Sequence, residues 1–269
     1  MAMAKRAHGA AMRNAVLALY GYLLFFAIVL AWLPLMAAGF LATLPFDRNR
    51  VIIGRGLRIV ASLVGAVCPL WDLRAEGAEH RPHGPFVAIA NHESILDVLL
   101  IPRVPWEMKW VAKASLFKVP FIGWMLRMSG DIPVVRGDSD SHSEALAKAR
   151  RWLDRGMPVM FFPEGTRSHT DELRPFKLGA FRLAIAAGVP VLPIAVYGTR
   201  GGMPVGSPWV RRTKALARVL PAEPTAGMTQ DDAPQLAARM RERLTAERAA
   251  IAAELGSCTG EPEPAAATR

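Results

Sequence analysis

Cysteine is scarce in this sequence, and acidic residues are nearly absent from its first quarter. The 269 residues include only Cys68 and Cys258, 190 positions apart, which excludes a disulfide scaffold and a four-cysteine zinc site. We expect two free thiols in a reducing compartment. Among residues 1–70, Asp47 is the one acid against seven lysines and arginines, so +6 of the net +10 charge lies there.

Asp, Glu, Lys, Arg and His are all missing between Arg13 and Asp47, a gap of 33 positions. About 20 apolar residues suffice for a helix to cross a bilayer, and the apolar core Val16–Leu35 is too long and too aromatic for a secretory signal peptide. Basic residues flank both ends of the gap, which favours a cytoplasmic location for both ends. Pro34 is expected to break the run, as in a bent or re-entrant helix.

A second helix is predicted over Val51–Val67, with Arg55 and Arg58 on one face and apolar residues elsewhere. Basic amphipathic helices lie in the membrane interface and attract anionic lipid. Residues 1–70 are therefore interpreted as a membrane-docking hairpin that anchors the protein on the cytoplasmic face of the inner (plasma) membrane. A true membrane span is the second interpretation, and two core helices of a soluble protein are the third. Because the charge accompanies this apolar run, a nucleic-acid partner is disfavoured.

The rest of the chain alternates between short apolar or β-branched runs and helical patterns. This alternation predicts an α/β domain over residues 71–256, with a mixed, largely parallel sheet flanked by helices. Residues 257–269, rich in Pro, Ala, Glu and Thr, are expected to form a loose tail. The predicted strands are Phe86–Ala90, Met108–Ala112, Ile132–Val135, Val159–Phe162 and Val189–Val196. The predicted helices are Ser94–Ile101, Phe121–Met128, Ser141–Arg155, Phe176–Ala187 and Pro234–Leu255.

The segment Asn91–Asp97 directly follows the first predicted strand and contains His92. Five steps along a helix turn the chain by about 500°, so His92 and Asp97 cannot share a helix face. They can meet if His92 lies in the loop and Asp97 in the first turns of the next helix. The carboxylate would then hold the Nδ1–H and leave Nε2 free as a base. A loop histidine beside a helix-capping acid is the alternative interpretation.

A second polar segment, Phe162–Ser168, follows another predicted strand. Its Pro-Glu-Gly-Thr turn can present backbone N–H groups to a ligand, and Arg167 can donate two hydrogen bonds to a phosphate. An ordinary turn with a solvated arginine is equally compatible with these residues taken alone. A third strand, Ile132–Val135, ends at Arg136.

Four segments in this order resemble the glycerolipid acyltransferase family, in particular bacterial 1-acyl-sn-glycerol-3-phosphate acyltransferases. The family motif N-H-x4-D is complete at Asn91–Asp97, and F-P-E-G-T-R-S is complete at Phe162–Ser168. The block at Gly130–Arg136 lacks the acid that often precedes its arginine, and Val189–Ile194 matches the fourth block. The resemblance covers roughly residues 71–220.

This resemblance implies transfer of a fatty acyl group from a thioester to the sn-2 hydroxyl of 1-acylglycerol 3-phosphate, giving phosphatidic acid. His92 is expected to remove the hydroxyl proton, and Asp97 to orient and stabilise the imidazolium. No metal and no bound cofactor is expected. Membrane lipid, lysophosphatidic acid and an acyl donor are the expected partners, and the donor is either acyl-CoA or an acyl carrier protein.

Further substrate-binding residues are expected around this dyad. The acceptor phosphate is assigned to the basic residues Lys113, Arg136 and Arg167. Glu164 is expected to position the acceptor or the turn, together with Gly165 and Thr166, and N–H groups near Gly165 are candidates for stabilising an oxyanion. Lys177 is expected to be a solvated helix residue more readily than a site residue.

Several rival functions remain open at this level. The same chemistry could act on another lysolipid, such as lyso-ornithine lipid, or the chain could be an inactive membrane scaffold of the same fold. A lipid hydrolase is disfavoured because no G-x-S-x-G nucleophile elbow is present. Ser94 is likewise disfavoured as a nucleophile.

Overall fold

The computed structural model describes residues 2–168, 170–207 and 209–257. Cys258 and nearly all of the predicted tail lie outside these residues. Eight α-helices are described: α1 Ala2–Thr43, α2 Val51–Val67, α3 Asp97–Leu100, α4 Ile122–Ser129, α5 Ser139–Asp154, α6 Gly179–Ala187, α7 Thr199–Gly202 and α8 Ala233–Ser257. The seven described strands are β1 Trp71–Glu76, β2 Val87–Ala90, β3 Lys109–Lys113, β4 Ile132–Val134, β5 Val159–Phe161, β6 Val191–Tyr197 and β7 Thr213–Val219.

The strands form a mixed sheet in the order β1-β7-β6-β2-β5-β3-β4. All neighbours are parallel except β6 and β7, which are antiparallel. The five predicted strands are confirmed, and the largely parallel α/β architecture with them. The strands β1 (WDLRAE) and β7 (TKALARV) were not predicted, because charged residues interrupt their apolar residues and leave no apolar run.

Helices cover both faces of this sheet and exclude water from the strands. One face packs against α5, α6 and α8 through residues such as Ala149, Phe181 and Met240. The other face buries Phe86 and Met160 against the segment that follows β2, including Leu100 and Trp106. Since every residue of β2 is buried, this strand holds the loop that follows it in a fixed position.

The helix α1 is continuous through Pro34, so the expected break there is wrong. A proline inside a helix removes one backbone hydrogen bond. Packing on both sides of Pro34 offsets that loss, because Val29 and Met36 lie in one apolar cluster with Ile53 and Leu57 of α2. The helix Val51–Val67 is confirmed, and α1 and α2 form the expected hairpin.

The residues Ala15–Thr43 are long and apolar enough to cross a membrane, by length and composition. Only 11% of their most apolar window is buried inside the protein, unlike the core helix of a soluble protein. The exposed apolar side chains continue onto α2 at Ile52, Ile59 and Leu63. The hairpin therefore presents an apolar face to its surroundings, as membrane association requires.

The two arginines of α2 do not face that surrounding medium, which corrects the expectation that they attract lipid. Arg55 donates to the carbonyls of Val104 and Trp106. Arg58 is buried and forms an ion pair with Asp131 at 2.5 Å. A buried arginine needs a carboxylate to offset its desolvation, so these side chains attach the hairpin to the sheet domain.

Candidate active site

The candidate site lies at the carboxyl ends of three adjacent strands, β6, β2 and β5. His92 follows β2, Glu164 follows β5, and Thr199 opens α7 shortly after β6. The parallel strands place these residues on one edge of the sheet, where open α/β sheets bind their ligands. Asn91 holds two of the strand ends together, because its side-chain amide bonds the N–H and the carbonyl of Val196, each at 2.8 Å.

His92 and Asp97 form a hydrogen-bonded dyad. Nδ1 of His92 lies 2.7 Å from Oδ2 of Asp97. The helix α3 begins at Asp97, and the preceding loop brings His92 back over its first turn. With Asp97 accepting from Nδ1–H, Nε2 is the basic nitrogen, and no described residue bonds it. The predicted meeting of these two residues is thus present in the structure.

The Asp97 carboxylate is fully buried and accepts from four donors. Oδ2 receives the N–H groups of Glu93 at 2.7 Å and Ser94 at 3.0 Å, besides the imidazole of His92. Oδ1 receives the Thr199 hydroxyl at 2.5 Å. Because buried charge must be satisfied by hydrogen bonds, this network fixes the carboxylate in the orientation that holds the imidazole.

The imidazole ring of His92 is also held from its face and from its backbone. The ring stacks on Phe162, with centroids 4.0 Å apart and planes inclined by 19°. The His92 N–H donates to Oε1 of Glu164 at 2.8 Å, and the His92 carbonyl accepts from the Ser168 N–H at 2.9 Å. The two sequence motifs are therefore one structural unit.

Glu164 connects the two loops of this unit by hydrogen bonds. Its second oxygen, Oε2, accepts the N–H of Arg174 at 3.1 Å, so the carboxylate joins the loop after β2 to the loop after β5. Burial raises the pKa of Glu164 above its ordinary value, and the backbone donors of His92 and Arg174 partly offset this. The expected role of Glu164 in positioning the turn agrees with these contacts.

Ser94 is unsuited to act as a nucleophile. Its hydroxyl is directed into the protein, where Oγ donates to the Met203 carbonyl at 2.7 Å. The same oxygen accepts the Leu96 N–H at 3.3 Å. With both bonds made inside the fold, this hydroxyl holds the loop between β2 and α3 in place.

Glu93 and Arg248 form a buried ion pair beside the dyad that sequence reasoning missed. Arg248 of α8 donates through Nε at 3.0 Å and Nη2 at 2.5 Å to Oε1 of Glu93. Burial raises the pKa of Glu93 to about 7 against the opposing effect of Arg248. An acid within the catalytic motif was a visible signal, but its partner lies 155 positions away.

Two predicted phosphate-binding arginines, Arg136 and Arg167, lie near each other on the same edge of the sheet. Burial lowers the pKa of Arg136, and the charge of Arg167 lowers it further. Arg136 also donates to the Thr166 hydroxyl at 3.4 Å. Among the described residues, no carboxylate pairs with either guanidinium, so this pair of like charges favours a bound anion.

Other residues of the turn contribute unequally. The Gly165 N–H donates to the Phe162 carbonyl at 3.0 Å, so it is unavailable to an oxyanion. The positive φ of 73° at Gly165 forms the turn, and a Cβ there would lie 3.0 Å from Nζ of Lys177. The N–H groups of Thr166 and Arg167 have no acceptor among the described residues.

The structure places Lys177, and not Lys113, in contact with the turn at Gly165. The helix α6 starts at Gly179, so Lys177 lies in the loop before it with its side chain against the catalytic turn, and not on a solvated helix. Lys113 ends β3 at the same edge of the sheet, where it is exposed. Within the described residues, Lys113 makes no hydrogen bond or ion pair with the other predicted site residues.

An apolar cavity of about 380 Å³ lies between the hairpin and the sheet domain. Its walls come from α1, α2, β3 and α4, and from Ile95 and Val98, which lie in the loop after His92 and in α3. Met203, whose carbonyl binds the Ser94 hydroxyl, is another wall residue. The cavity thus extends from the hairpin to the loop that carries the dyad.

Comparison with known proteins places this geometry in a family. Residues 72–197 match the family model described as Acyltransferase. A 1-acyl-sn-glycerol-3-phosphate acyltransferase of Salmonella typhimurium is 30% identical over 184 residues, which are 66% of this chain and 74% of that protein. This chain belongs to the glycerolipid acyltransferase family.

Other relatives of the acyltransferase family agree with this assignment. A chloroplastic 1-acyl-sn-glycerol-3-phosphate acyltransferase of Brassica napus is 38% identical over 67% of this chain and 52% of its own length. The chain therefore spans about half the length of that curated relative. The crystal structure of PlsC, the 1-acyl-sn-glycerophosphate (LPA) acyltransferase of Thermotoga maritima, matches with a TM-score of 0.73 and 25% identity, over 90% of this chain and 98% of that one.

Metal ligands do not cluster in the described ranges, 2–168, 170–207 and 209–257. No group of three or more His, Cys, Asp or Glu side chains there could hold a metal ion. His92 and Asp97 form a hydrogen bond with each other, and the neighbouring acids bind backbone N–H groups or Arg248.

Proposed function

We propose that this chain transfers a fatty acyl group from an acyl thioester to the sn-2 hydroxyl of 1-acylglycerol 3-phosphate, which gives phosphatidic acid. The observation that carries the proposal is the dyad of His92 and Asp97 on one sheet edge with the unneutralised Arg136 and Arg167. The similarity of this chain to proteins named 1-acyl-sn-glycerol-3-phosphate acyltransferase is the reason for proposing this reaction.

The dyad supports direct attack by the acceptor hydroxyl. Nε2 of His92 takes the hydroxyl proton while Asp97 stabilises the imidazolium. The hydroxyl oxygen forms a bond to the thioester carbonyl carbon, and the carbon–sulfur bond breaks as the tetrahedral intermediate collapses. The proton on Nε2 then passes to the departing thiolate. No covalent acyl-enzyme is needed, consistent with the inward-facing hydroxyl of Ser94.

The acceptor phosphate binds the basic residues beside the turn in this scheme. Arg136 and Arg167 supply guanidinium donors that fit a phosphate. The unpaired N–H groups of Thr166 and Arg167 add backbone donors on the same turn. Lys177 lies against Gly165 and adds a third positive charge.

The acyl chain has an apolar place to lie. The cavity between the hairpin and the sheet domain has walls of Leu, Val, Ile, Phe and Met side chains and reaches Ile95 of the catalytic loop. An acyl chain buried there would leave its thioester near His92. We further propose that the hairpin docks this cavity on the cytoplasmic face of the membrane, where lysolipid acceptors and product reside.

A purified-protein assay tests the proposed function. Acyl-CoA and acylated acyl carrier protein are supplied in turn as donors, with lysophosphatidic acid as acceptor and lyso-ornithine lipid as competitor. We expect phosphatidic acid to form, and its rate to exceed that of the phosphate-free acceptor. Preferred acylation of lyso-ornithine lipid would remove the phosphate role of the arginines. Absence of turnover with every donor and acceptor would support an inactive scaffold.

A further inference from the structure

Two adjoining cavities form one basic groove at the turn of the hairpin, away from the candidate active site. Their volumes are about 500 and 540 Å³, and they share Arg48, Arg50 and Arg155 in their walls. The walls come from the end of α1, the turn before α2, the end of α4, the edge strand β4 and the second half of α5. None of the predicted catalytic or phosphate-binding residues lines this groove.

The groove carries a strong excess of positive charge. Its basic lining residues are Arg48, Arg50, Lys118, Arg127, Lys148, Arg151 and Arg155. Only Lys148 has an acidic partner, Glu144, at 2.5 Å. Across the described part of the chain, no carboxylate lies within ion-pair distance of the other six.

Both acids in the walls are committed elsewhere. The two oxygens of Asp47 accept the N–H groups of Val51 and Ile52, each at 2.8 Å, and so cap α2. Asp131 is buried and bound to Arg58. Asp47 keeps its negative charge while it caps α2, so the walls carry seven basic residues against two acids, and Asp131 is already paired with Arg58. This excess of positive charge favours binding of an external anion.

The surroundings of the groove indicate which anion it meets. Leu44 lines the groove and is exposed by 57%. Phe46 in the same turn is exposed by 68%, and Trp124, three residues before Arg127 on α4, by 51%. These continue the apolar face of α1, which passes through Leu41 and Leu35. A basic concavity bordered by apolar and tryptophan side chains fits the headgroup level of a bilayer. A soluble acidic partner would leave this apolar border exposed to water.

We propose that the groove binds the phosphate headgroups of anionic phospholipids, as a lipid site separate from the catalytic site. The proposal rests on the membrane docking of the hairpin in the proposed function, and it adds a site with its own ligand. The apolar face of α1 and α2 supplies attachment to any bilayer, while the groove selects anionic lipid and fixes how the sheet domain sits on the surface.

The test is co-flotation of the purified full-length chain with vesicles. One set contains phosphatidylcholine alone, and the other contains phosphatidylcholine with phosphatidylglycerol. Arg48→Gln/Arg151→Gln removes two exposed groove charges, and Arg81→Gln/Arg182→Gln removes two exposed charges outside the groove. We expect the groove variant to lose about 25-fold of the affinity gained from phosphatidylglycerol, since each basic residue near an anionic surface contributes about fivefold. Binding to phosphatidylcholine alone should stay unchanged, and the control variant should behave as the parent.

Three results would overturn the proposal. The first is that the parent protein binds both vesicle types equally. The second is that the groove and control variants lose equal affinity for phosphatidylglycerol vesicles. The third is that the groove variant loses only acyl-transfer rate with acyl carrier protein as donor, which would make the groove a protein-docking site. Acyl transfer in neutral detergent micelles is measured separately and should be unchanged in the groove variant. If the proposed function fails, all variants lack turnover, yet the flotation comparison still decides the lipid site.

Discussion

Arg248 of α8 donates two hydrogen bonds to one carboxylate oxygen of Glu93, the residue next to His92. The same guanidinium donates through Nη1 to the Asp171 carbonyl at 2.6 Å. One side chain thus ties the C-terminal helix to the loop after β2 and the loop after β5. Since these loops carry His92 and the turn at Gly165, α8 helps to hold the candidate active site in place.

Arg248→Met should leave Glu93 buried without its partner. Breaking one half of a buried ion pair costs about 3–5 kcal/mol of unfolding free energy, and we expect kcat to fall as well. Glu93→Gln/Arg248→Met should recover much of the stability, because both charges are gone. Unfolding in detergent, analysed as a double-mutant cycle, measures the coupling. Arg243→Met is the matched control on the same helix, since its pair with Glu223 is partly exposed and should contribute at most about 1 kcal/mol.

The raised pKa of Glu93 predicts a pH-dependent stability. In the unfolded chain this carboxyl ionises near 4.5, whereas burial raises its folded pKa to about 7. Between these values the folded state holds the proton that the unfolded state has released, so stability falls as pH rises. From pH 5 to 7.5, the Tm of the parent should therefore fall relative to the Tm of Glu93→Gln. A pH-independent difference would contradict this assignment.

Thr199→Val should weaken the orientation of Asp97 without removing it. The variant loses the 2.5 Å hydrogen bond to Oδ1 while preserving the shape of the side chain. A hydrogen bond to a charged group contributes about 1.5–3 kcal/mol, so we expect kcat to fall by about tenfold or more with KM little changed. Thr245→Val, which removes an exposed hydroxyl from α8, is the control and should leave both quantities unchanged.

Arg136→Gln and Arg167→Gln should raise the KM for lysophosphatidic acid, each by about tenfold or more, as expected for loss of a charge-assisted hydrogen bond to phosphate. The KM for the acyl donor should change less. Arg182→Gln, an exposed arginine on α6, should leave both values unchanged. A larger rise in the donor KM than in the acceptor KM would assign these arginines to the donor, and an unchanged acceptor KM would remove them from the acceptor phosphate.

Sequence patterns predicted most of the central sheet but not its far edge. Strands such as β2 and β5 are fully buried, so their apolar runs are visible, whereas β1 and β7 carry charged residues along their length. The helix α2 was also predicted at its observed bounds. The inward orientation of the Arg58 side chain was not predicted, because its partner Asp131 is distant in sequence and only tertiary packing brings the two together.

In the candidate site, too, local contacts were predicted and distant ones were not. His92 and Asp97 are five residues apart, so local chain geometry was enough to predict their contact. Thr199 and Phe162 reach the dyad from other parts of the chain, and Arg248 reaches the neighbouring Glu93; no local pattern indicates those contacts. The phosphate-binding role of Arg136 and Arg167 stays a prediction. The nearness of Lys177 to Gly165 was not predicted, because it depends on how the following loop folds back.

The central claim is that Nε2 of His92 is the base that activates the acceptor hydroxyl. The most direct test is acyl transfer to lysophosphatidic acid by purified His92→Ala, with thermal unfolding measured in parallel. We predict a rate at least about 10²-fold lower, as for loss of a general base, in a protein that still unfolds cooperatively. Near-normal turnover by a folded His92→Ala protein would contradict the account.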